Sequence, residues 1–399
     1  MNIATTGTYF GDRAVSRLAV SVATVAYLVG YLGYGFREQL DPARYFVYVI
    51  PGILVGSLLL QSTPKINEPA AGYVISYLTL TFVACLAGIV DMGFFWNDVI
   101  IMTFIGLCFV PSIYVGADQI RTIFLGSLAC FLLKWLLTDH SGIRILELLA
   151  AGTGSGLGSG YDDHQGGLLS PIYAVFFYAV GAKIQFVLAL ILTVLGGKRV
   201  AILALVIGLA SIFFFRRIGA FERRRDRFFA LLVGLATINI VALNLDDIIR
   251  YVHGALDIRV HIETIMLGRY KIASEMVRVI ENRSLFESLF GFGPGSANAL
   301  AWVASAGSLD LPHNDWLKLL YNHGIVGSMM FTLFMALVFS SSMPALVIAL
   351  ASAVIMSTDN VIVYLYYQFP MAMMVACCSS QGSPRQEAAQ IPHSAGVAK

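Results

Sequence analysis

Apolar stretches of roughly twenty residues recur along almost the whole chain, and they constrain the fold more than any other feature. A helix needs ~20 mostly apolar residues to cross a bilayer, and fewer when it packs inside a bundle. By that measure twelve segments qualify: 17–36, 44–62, 71–90, 97–116, 120–138, 168–182, 184–196, 200–215, 228–245, 324–342, 345–358 and 360–378. The segments at 168–182, 184–196 and 345–358 are short. Of the 399 residues only 13% are charged and 58% are hydrophobic, with a mean hydropathy of +0.77. Soluble domains carry roughly 25% charged residues, so a globule built from this chain could not cover itself with a water-compatible surface. The sequence therefore predicts an all-α polytopic membrane protein with about 12 transmembrane helices. Arg13 and Arg17 precede an apolar run from Leu18 to Phe36. That run exceeds the ~7–15-residue core of a cleaved signal peptide and reads as a retained first span.

Orientation follows from where the cations fall, because Lys and Arg accumulate in short cytoplasmic connections. Arg216, Arg217, Arg223, Arg224, Arg225 and Arg227 crowd a single connection. With that connection inside, counting spans places Arg13, Arg17, Lys65 and Lys183 inside too, and both termini become cytoplasmic. Arg37 and Arg44 fall outside, against the trend. The chain then divides into a membrane domain over 1–245, about nine spans, a large outward loop over 246–323 between spans nine and ten, three further spans over 324–378, and a disordered cytoplasmic tail over 379–399. A formal net charge of +2, with no basic run interleaved with aromatics, gives no footprint for nucleic acid. The five cysteines (Cys85, Cys108, Cys130, Cys377 and Cys378) lie in or beside apolar stretches and form no Cys-x-x-Cys pair, so they read as small buried hydrophobes.

Two polar loops face outward in this topology. The first, 139–167, contains Gly152-Thr-Gly-Ser-Gly-Leu-Gly-Ser-Gly160 and then Tyr161-Asp-Asp-His164. It lacks a P-loop lysine and the spacing of a dinucleotide fingerprint, so it reads as a mobile strip able to act as a lid or substrate guide. The second, 246–323, is long enough to form a structured unit. Ile265, Ile272, Met276, Val279 and Ile280 recur at helical spacing, predicting an amphipathic helix over Ile262 to Leu289. Gly291-Phe-Gly-Pro-Gly295 then breaks the chain, and a further helix is expected from Asn314 into the tenth span.

Three places carry candidate chemistry. Lys198 and Arg199 sit in a tight outer turn, where cations are disfavoured unless they snorkel to headgroups or hold an anion. Leu267-Gly-Arg-Tyr-Lys271 places Arg269 at a helix opening, either solvated or holding phosphate through a bidentate guanidinium. In Leu311-Pro-His-Asn-Asp-Trp-Leu-Lys318, Pro312 favours extended structure before it, and Asn314 or Asp315 can cap the helix that follows. His313 then lies at a loop-to-helix junction, where an imidazole either bonds backbone or takes a proton from a hydroxyl near neutral pH. His323 is ten residues further on, so the two histidines form no helical metal pair.

The order Gly268-Arg269, Gly291-Phe-Gly-Pro-Gly295, His313-Asn-Asp315 and Gly324-Ile-Val-Gly327 resembles the O-antigen ligase and polysaccharide polymerase superfamily. The Lys198-Arg199 turn looks like that family's Ser-Arg element, with lysine where a small hydroxyl residue is usual. The resemblance implies a bacterial inner-membrane protein with a periplasmic loop. It implies a glycosyltransferase without metal or other cofactor, taking a glycan from an undecaprenyl-diphosphate carrier. Arg199 and Arg269 would hold the diphosphate, with Lys198, Asn314 and Asp315 at the substrate, and His313 would position or deprotonate the acceptor hydroxyl. The acceptor would be another glycan in a polymerase, the reading that His-Asn-Asp followed by Trp-Leu-Lys favours, or lipid A-core in a ligase. Other polysaccharide assembly proteins are expected as partners. A secondary transporter is the alternative of another class. Its ionisable candidates in sequence are Lys134 and Asp359-Asn360, both near outer ends, and the two halves of the chain do not match.

Overall fold

The computed structural model describes residues 4–35, 40–86, 92–138, 164–196, 198–219, 221–244, 247–248, 251, 255, 269–307, 312–362 and 364–381. Among these residues the secondary structure is helical, apart from one isolated bridge between Ile66 and Pro111. The glycine strip at 152–160, Arg37 and the tail beyond 381 lie outside the described residues.

The helices follow the apolar segments closely. They are α1 (Ala4–Gly35), α2 (Ile50–Gly56), α3 (Glu68–Leu86), α4 (Met92–Phe109), α5 (Ala117–Thr138), α6 (His164–Ala179), α7 (Lys183–Leu195), α8 (Arg199–Ile218) and α9 (Arg224–Leu243). After the second loop come α13 (Asp315–Phe339), α14 (Met343–Met356) and α15 (Leu365–Gln381), preceded by the loop helices α10 (Arg269–Glu281), α11 (Leu285–Phe290) and α12 (Ser296–Ala304). Among the described residues, six helical stretches are long and apolar enough to cross a membrane: Gly11–Tyr34, Pro42–Leu60, Glu68–Leu86, Arg199–Ile218, Arg224–Leu243 and Asp315–Phe339. Large apolar side chains face outward from them, Phe213 at 63% and Val233 at 65% exposure. Such a surface is stable in lipid and not in water. The chain is a membrane protein.

Two expectations change in detail. The segment at 44–62 is not one α-helix: 3₁₀ turns at Asp41–Val49 and Ser57–Leu60 flank α2. Pro51 lacks an amide hydrogen and restricts Ile50, and Gly52 and Gly56 add little helix propensity. The amphipathic helix predicted to Leu289 is split after Glu281 into α10 and α11. Ser284 caps α11 by accepting from the Glu287 amide at 3.3 Å, while Glu287 accepts from the Ser284 amide at 2.7 Å. The Ser284 amide and the Ser284 hydroxyl, both donating to the Glu287 carboxylate, hold that carboxyl below its ordinary pKa, and a reciprocal cap of this kind starts a new helix. The helical spacing within α10 is real. Ile272 and Met276 are buried against Ala297, Ala301, Leu317 and Tyr321, which seats α10 and α12 on α13.

Helix ends gather at two poles. At one, Arg216 donates to the Ala179 carbonyl at 3.0 Å, and Arg227 donates to the carbonyls of Ser340 and Ser341 at 2.8 and 3.1 Å. Arg227 thereby satisfies orphan carbonyls at the C-terminal end of α13, as a cation there should. Phe124 near the start of α5 packs on Phe177 near the end of α6, which brings Tyr114 to this pole, and Arg13 and Arg17 lie over the Tyr114 ring. Ser379 bonds Ser341 here as well. At the other pole Asn314 donates to the Ala242 carbonyl at 3.2 Å, and the Tyr366 hydroxyl donates to Gly30 and Arg44 carbonyls. Between the poles, α14 is buried along nearly its whole length, as a helix apolar all round should be.

The expected helix from Asn314 into the tenth span is present as α13, bent at Gly324, where φ is 62° and ψ −163°. The bend exists because the 291–295 loop pushes into it. A Cβ on Gly324 would lie 2.4 Å from the Leu289 carbonyl oxygen, and one on Gly291 (φ 76°) 2.4 Å from the Asn322 carbonyl carbon. Only glycine lets the two backbones approach this closely.

Candidate functional site

The local sequence dictates how His313 is held. Pro312 is buried, and Asn314 takes extended backbone while its side chain accepts from the Leu317 amide at 3.0 Å. Asn314 is therefore the cap, and its amide group also reaches α9 through Ala242. Between proline and cap, His313 adopts φ 54°, a left-handed conformation that costs a non-glycine residue about 1–2 kcal/mol. Strain of this kind is retained where the surroundings over-determine it, commonly at functional sites. Asp315, fully buried, accepts from the Ile362 amide at 2.9 Å. The side chains of Asn314 and Asp315 are thus engaged by the fold beneath His313.

The imidazole of His313 is 11% exposed, and its Nδ1 lies 3.7 Å from Oδ1 of Asp359, which is 2% exposed. Asp359 sits in the turn between α14 and α15, where its carboxylate also accepts from the Asn360 amide at 2.8 Å. At 3.7 Å the pair is a close contact rather than a hydrogen bond. A buried carboxylate beside an imidazole stabilises the imidazolium that forms when the ring accepts a proton. With Nδ1 turned to Asp359, Nε2 is the nitrogen left for a ligand.

A second cluster lies deeper on the same helix, and sequence reasoning missed it. Lys318 Nζ is 2.7 Å from Asp98 Oδ1, Asn322 donates to Asp98 Oδ2 at 3.0 Å, and His323 Nε2 approaches the same oxygen at 3.5 Å. Asp98 and Lys318 are 3% and 6% exposed in their side chains. Asn322 also accepts from the Ala297 amide at 2.7 Å, and the Asn322 and Tyr321 carbonyls accept from Gly293 and Phe292. One carboxylate on α4 thus fixes one face of α13 and, through Asn322, the glycine loop and α12. The available signal was an aspartate inside the apolar 97–116 run together with Lys318, Asn322 and His323 at helical spacing, since ionisable residues within spans are rarely idle. The interior ionisable set is therefore larger than Lys134 and Asp359-Asn360, and the Lys134 side chain lies outside the described residues.

The two basic elements are placed separately. Lys198 is the N-cap residue of α8, half-buried, and Arg199 is its exposed first residue. The opposite end of α8 and the start of α14 line a cavity of about 300 Å³ with Ala179, Arg216 and Met343. Arg199 therefore belongs to the same pole as the C-terminal end of α14 and His313. A helix N-terminus with two cations favours an anion. Arg269 is the first residue of α10, with its side chain outside the described residues. No hydrogen bond or ion pair among the described residues joins Arg199 to His313. Among the described residues no group of three or more His, Cys, Asp or Glu is placed to hold a metal ion. No protein-family model matches the chain, and no curated protein matches it significantly.

Proposed function

We propose that this chain is a glycosyltransferase of the O-antigen ligase and polysaccharide polymerase kind, acting at the periplasmic face of a bacterial inner membrane on an undecaprenyl-diphosphate-linked glycan. The observation that carries this reading is His313, a strained, partly exposed imidazole beside the buried Asp359 carboxylate, at the pole opposite the arginine-rich connection. The arginines of that connection, with Arg13 and Arg17 beside it, make it the cytoplasmic pole by the positive-inside rule. The helical segments then amount to about twelve crossings, with both termini inside and the 246–323 loop outside.

The chemistry needs few parts. The anomeric carbon–oxygen bond to the diphosphate breaks, the acceptor hydroxyl oxygen forms the new glycosidic bond, and its proton passes to Nε2 of His313. Negative charge develops on the departing diphosphate. Arg199 at the α8 N-terminus and Arg269 at the opening of α10 neutralise it, with Lys198 beside them. A lipid-linked donor lies at the membrane surface, the depth at which these helix ends meet it. Asn314 and Asp315 serve by fixing the backbone that presents His313.

Purified protein given polyprenyl-diphosphate glycan with a second such glycan or with lipid A-core is expected to release polyprenyl diphosphate and lengthen one acceptor. The polymerase reading, favoured by His-Asn-Asp followed by Trp-Leu-Lys, expects glycan-to-glycan joining, and the ligase reading expects transfer to lipid A-core. Arg269→Lys is expected to lose most of the transfer although charge is kept, because lysine cannot form the bidentate contact with phosphate. Equal activity would reduce Arg269 to a source of field.

The Asp98–Lys318–His323 cluster supports one other reading, secondary transport, since buried ionisable groups mark ion pathways in transporters. Its geometry favours a lock instead: Asp98 is met by donors from a single helix face. Uptake of a solute by proteoliposomes without glycan transfer would favour transport.

A further inference from the structure

The turn between α14 and α15 is non-helical backbone buried inside the bundle. Asp359, Asn360, Val361 and Ile362 are at most 2% exposed. In a membrane protein such backbone is tolerated only where it is enclosed by protein or lines a polar cavity. Three side chains close on this turn. Asp315 uses one carboxylate oxygen on the Ile362 amide, and Gln368 uses its amide nitrogen on the Val361 carbonyl at 3.0 Å. Asn360 lies within the turn itself. What these groups leave over is unusual. Among the described residues, Asp315 Oδ1, Gln368 Oε1 and both side-chain polar atoms of Asn360 have no hydrogen-bond partner, although Asp315 and Asn360 are fully buried and Gln368 is 3% exposed. Buried polar atoms are almost always paired, and several orphans on one turn point to a ligand. Charge points the same way. The ammonium near Asp315, Lys318, is already 2.7 Å from Asp98.

We propose that Asp315, Asn360 and Gln368 form, with carbonyls of the 359–362 turn, a buried site for a hard monovalent cation, sodium or potassium. Carboxylate and amide oxygens are the donors such ions prefer, and the set contains no thiolate for a softer metal. The turn's other carboxylate, Asp359, faces His313 Nδ1 at 3.7 Å, which leaves Asp315 as the carboxylate for the ion. A divalent ion there would keep excess positive charge inside a membrane bundle, which is costly. Helices interrupted by an unwound, buried turn are a recurring way to coordinate such ions within membranes. The site ties the start of α13 to the turn that carries Asp359, so its occupancy bears on the footing of His313. Ion binding at this turn requires no glycan transfer.

The test is thermal unfolding of the purified full chain in detergent, with choline chloride exchanged for sodium or potassium chloride at constant ionic strength. A ligand that binds only the folded state raises the midpoint in a saturable way. A rise of several degrees with sodium or potassium is expected, absent in Asn360→Ala, Gln368→Ala and Asp315→Asn. Binding of ²²Na⁺ to the wild-type chain, competed by unlabelled sodium or potassium, gives a second measurement that needs no variant to fold. Equal midpoints in choline and in both alkali salts, an ion effect that survives in Asp315→Asn, or a midpoint that follows pH alone would overturn the proposal.

Discussion

His313→Ala is expected to lower glycan transfer by about 10²–10⁴-fold, the usual contribution of a positioned general base, with protein abundance and membrane insertion unchanged. Alanine removes the proton acceptor but leaves the cap of α13 intact, because Asn314 and not His313 accepts from the Leu317 amide. It also leaves a non-glycine residue at φ 54°, so the local strain is kept and the variant tests the ring alone. Asp359→Asn separates positioning from proton transfer. Loss of the carboxylate beside Nδ1 removes the group that orients the ring, so kcat is expected to fall while KM for the donor is kept. Activity of His313→Ala at the wild-type level, measured as polyprenyl diphosphate released, would remove His313 from the reaction.

Lys318→Met is expected to destabilise the protein by about 3–5 kcal/mol, the cost of leaving a buried charge without its partner. Among the described residues, Asp98, 3% exposed, would keep only Asn322 and His323 as donors. Asp98→Asn should cost a similar amount by stranding the ammonium. The double variant Asp98→Asn with Lys318→Met is expected to recover much of the loss, because no unpaired charge remains and the new amide oxygen at position 98 can still accept from Asn322. The double-mutant cycle in denaturation midpoints reads this coupling directly. Additive losses would mean that the two side chains act independently and that the cluster is no lock.

The sequence and the structure agree most where one helix and one physical rule suffice. Apolar runs found the membrane helices because each must bury or face lipid along its length. Pro312 and Asn314 announced the start of α13, and the glycines at 291–295 announced a break, since caps and positive φ are local properties. The boundary at Ser284 was also local, a capping box overlooked under a continuous apolar periodicity. What stayed hidden was every pairing between distant segments. Nothing near His313 in sequence indicates that the turn after α14 brings Asp359 to it. Nothing near Lys318 indicates that α4 supplies Asp98. Such contacts depend on how whole helices pack, and helical periodicity fixes the face of a helix but not its neighbour.

The two poles of the bundle are the premise beneath all of this, and side-specific labelling tests it. In a Cys85→Ser background, a cysteine at Glu281, exposed at the end of α10, is compared with one at Arg225, whose side chain is 74% exposed in the first turn of α9. A membrane-impermeant maleimide added to cells with a permeable outer membrane and an intact inner membrane is expected to label Glu281→Cys and to reach Arg225→Cys only after the inner membrane is opened. Labelling of Arg225→Cys with the inner membrane sealed, and protection of Glu281→Cys, would put His313 on the cytoplasmic side and contradict the account.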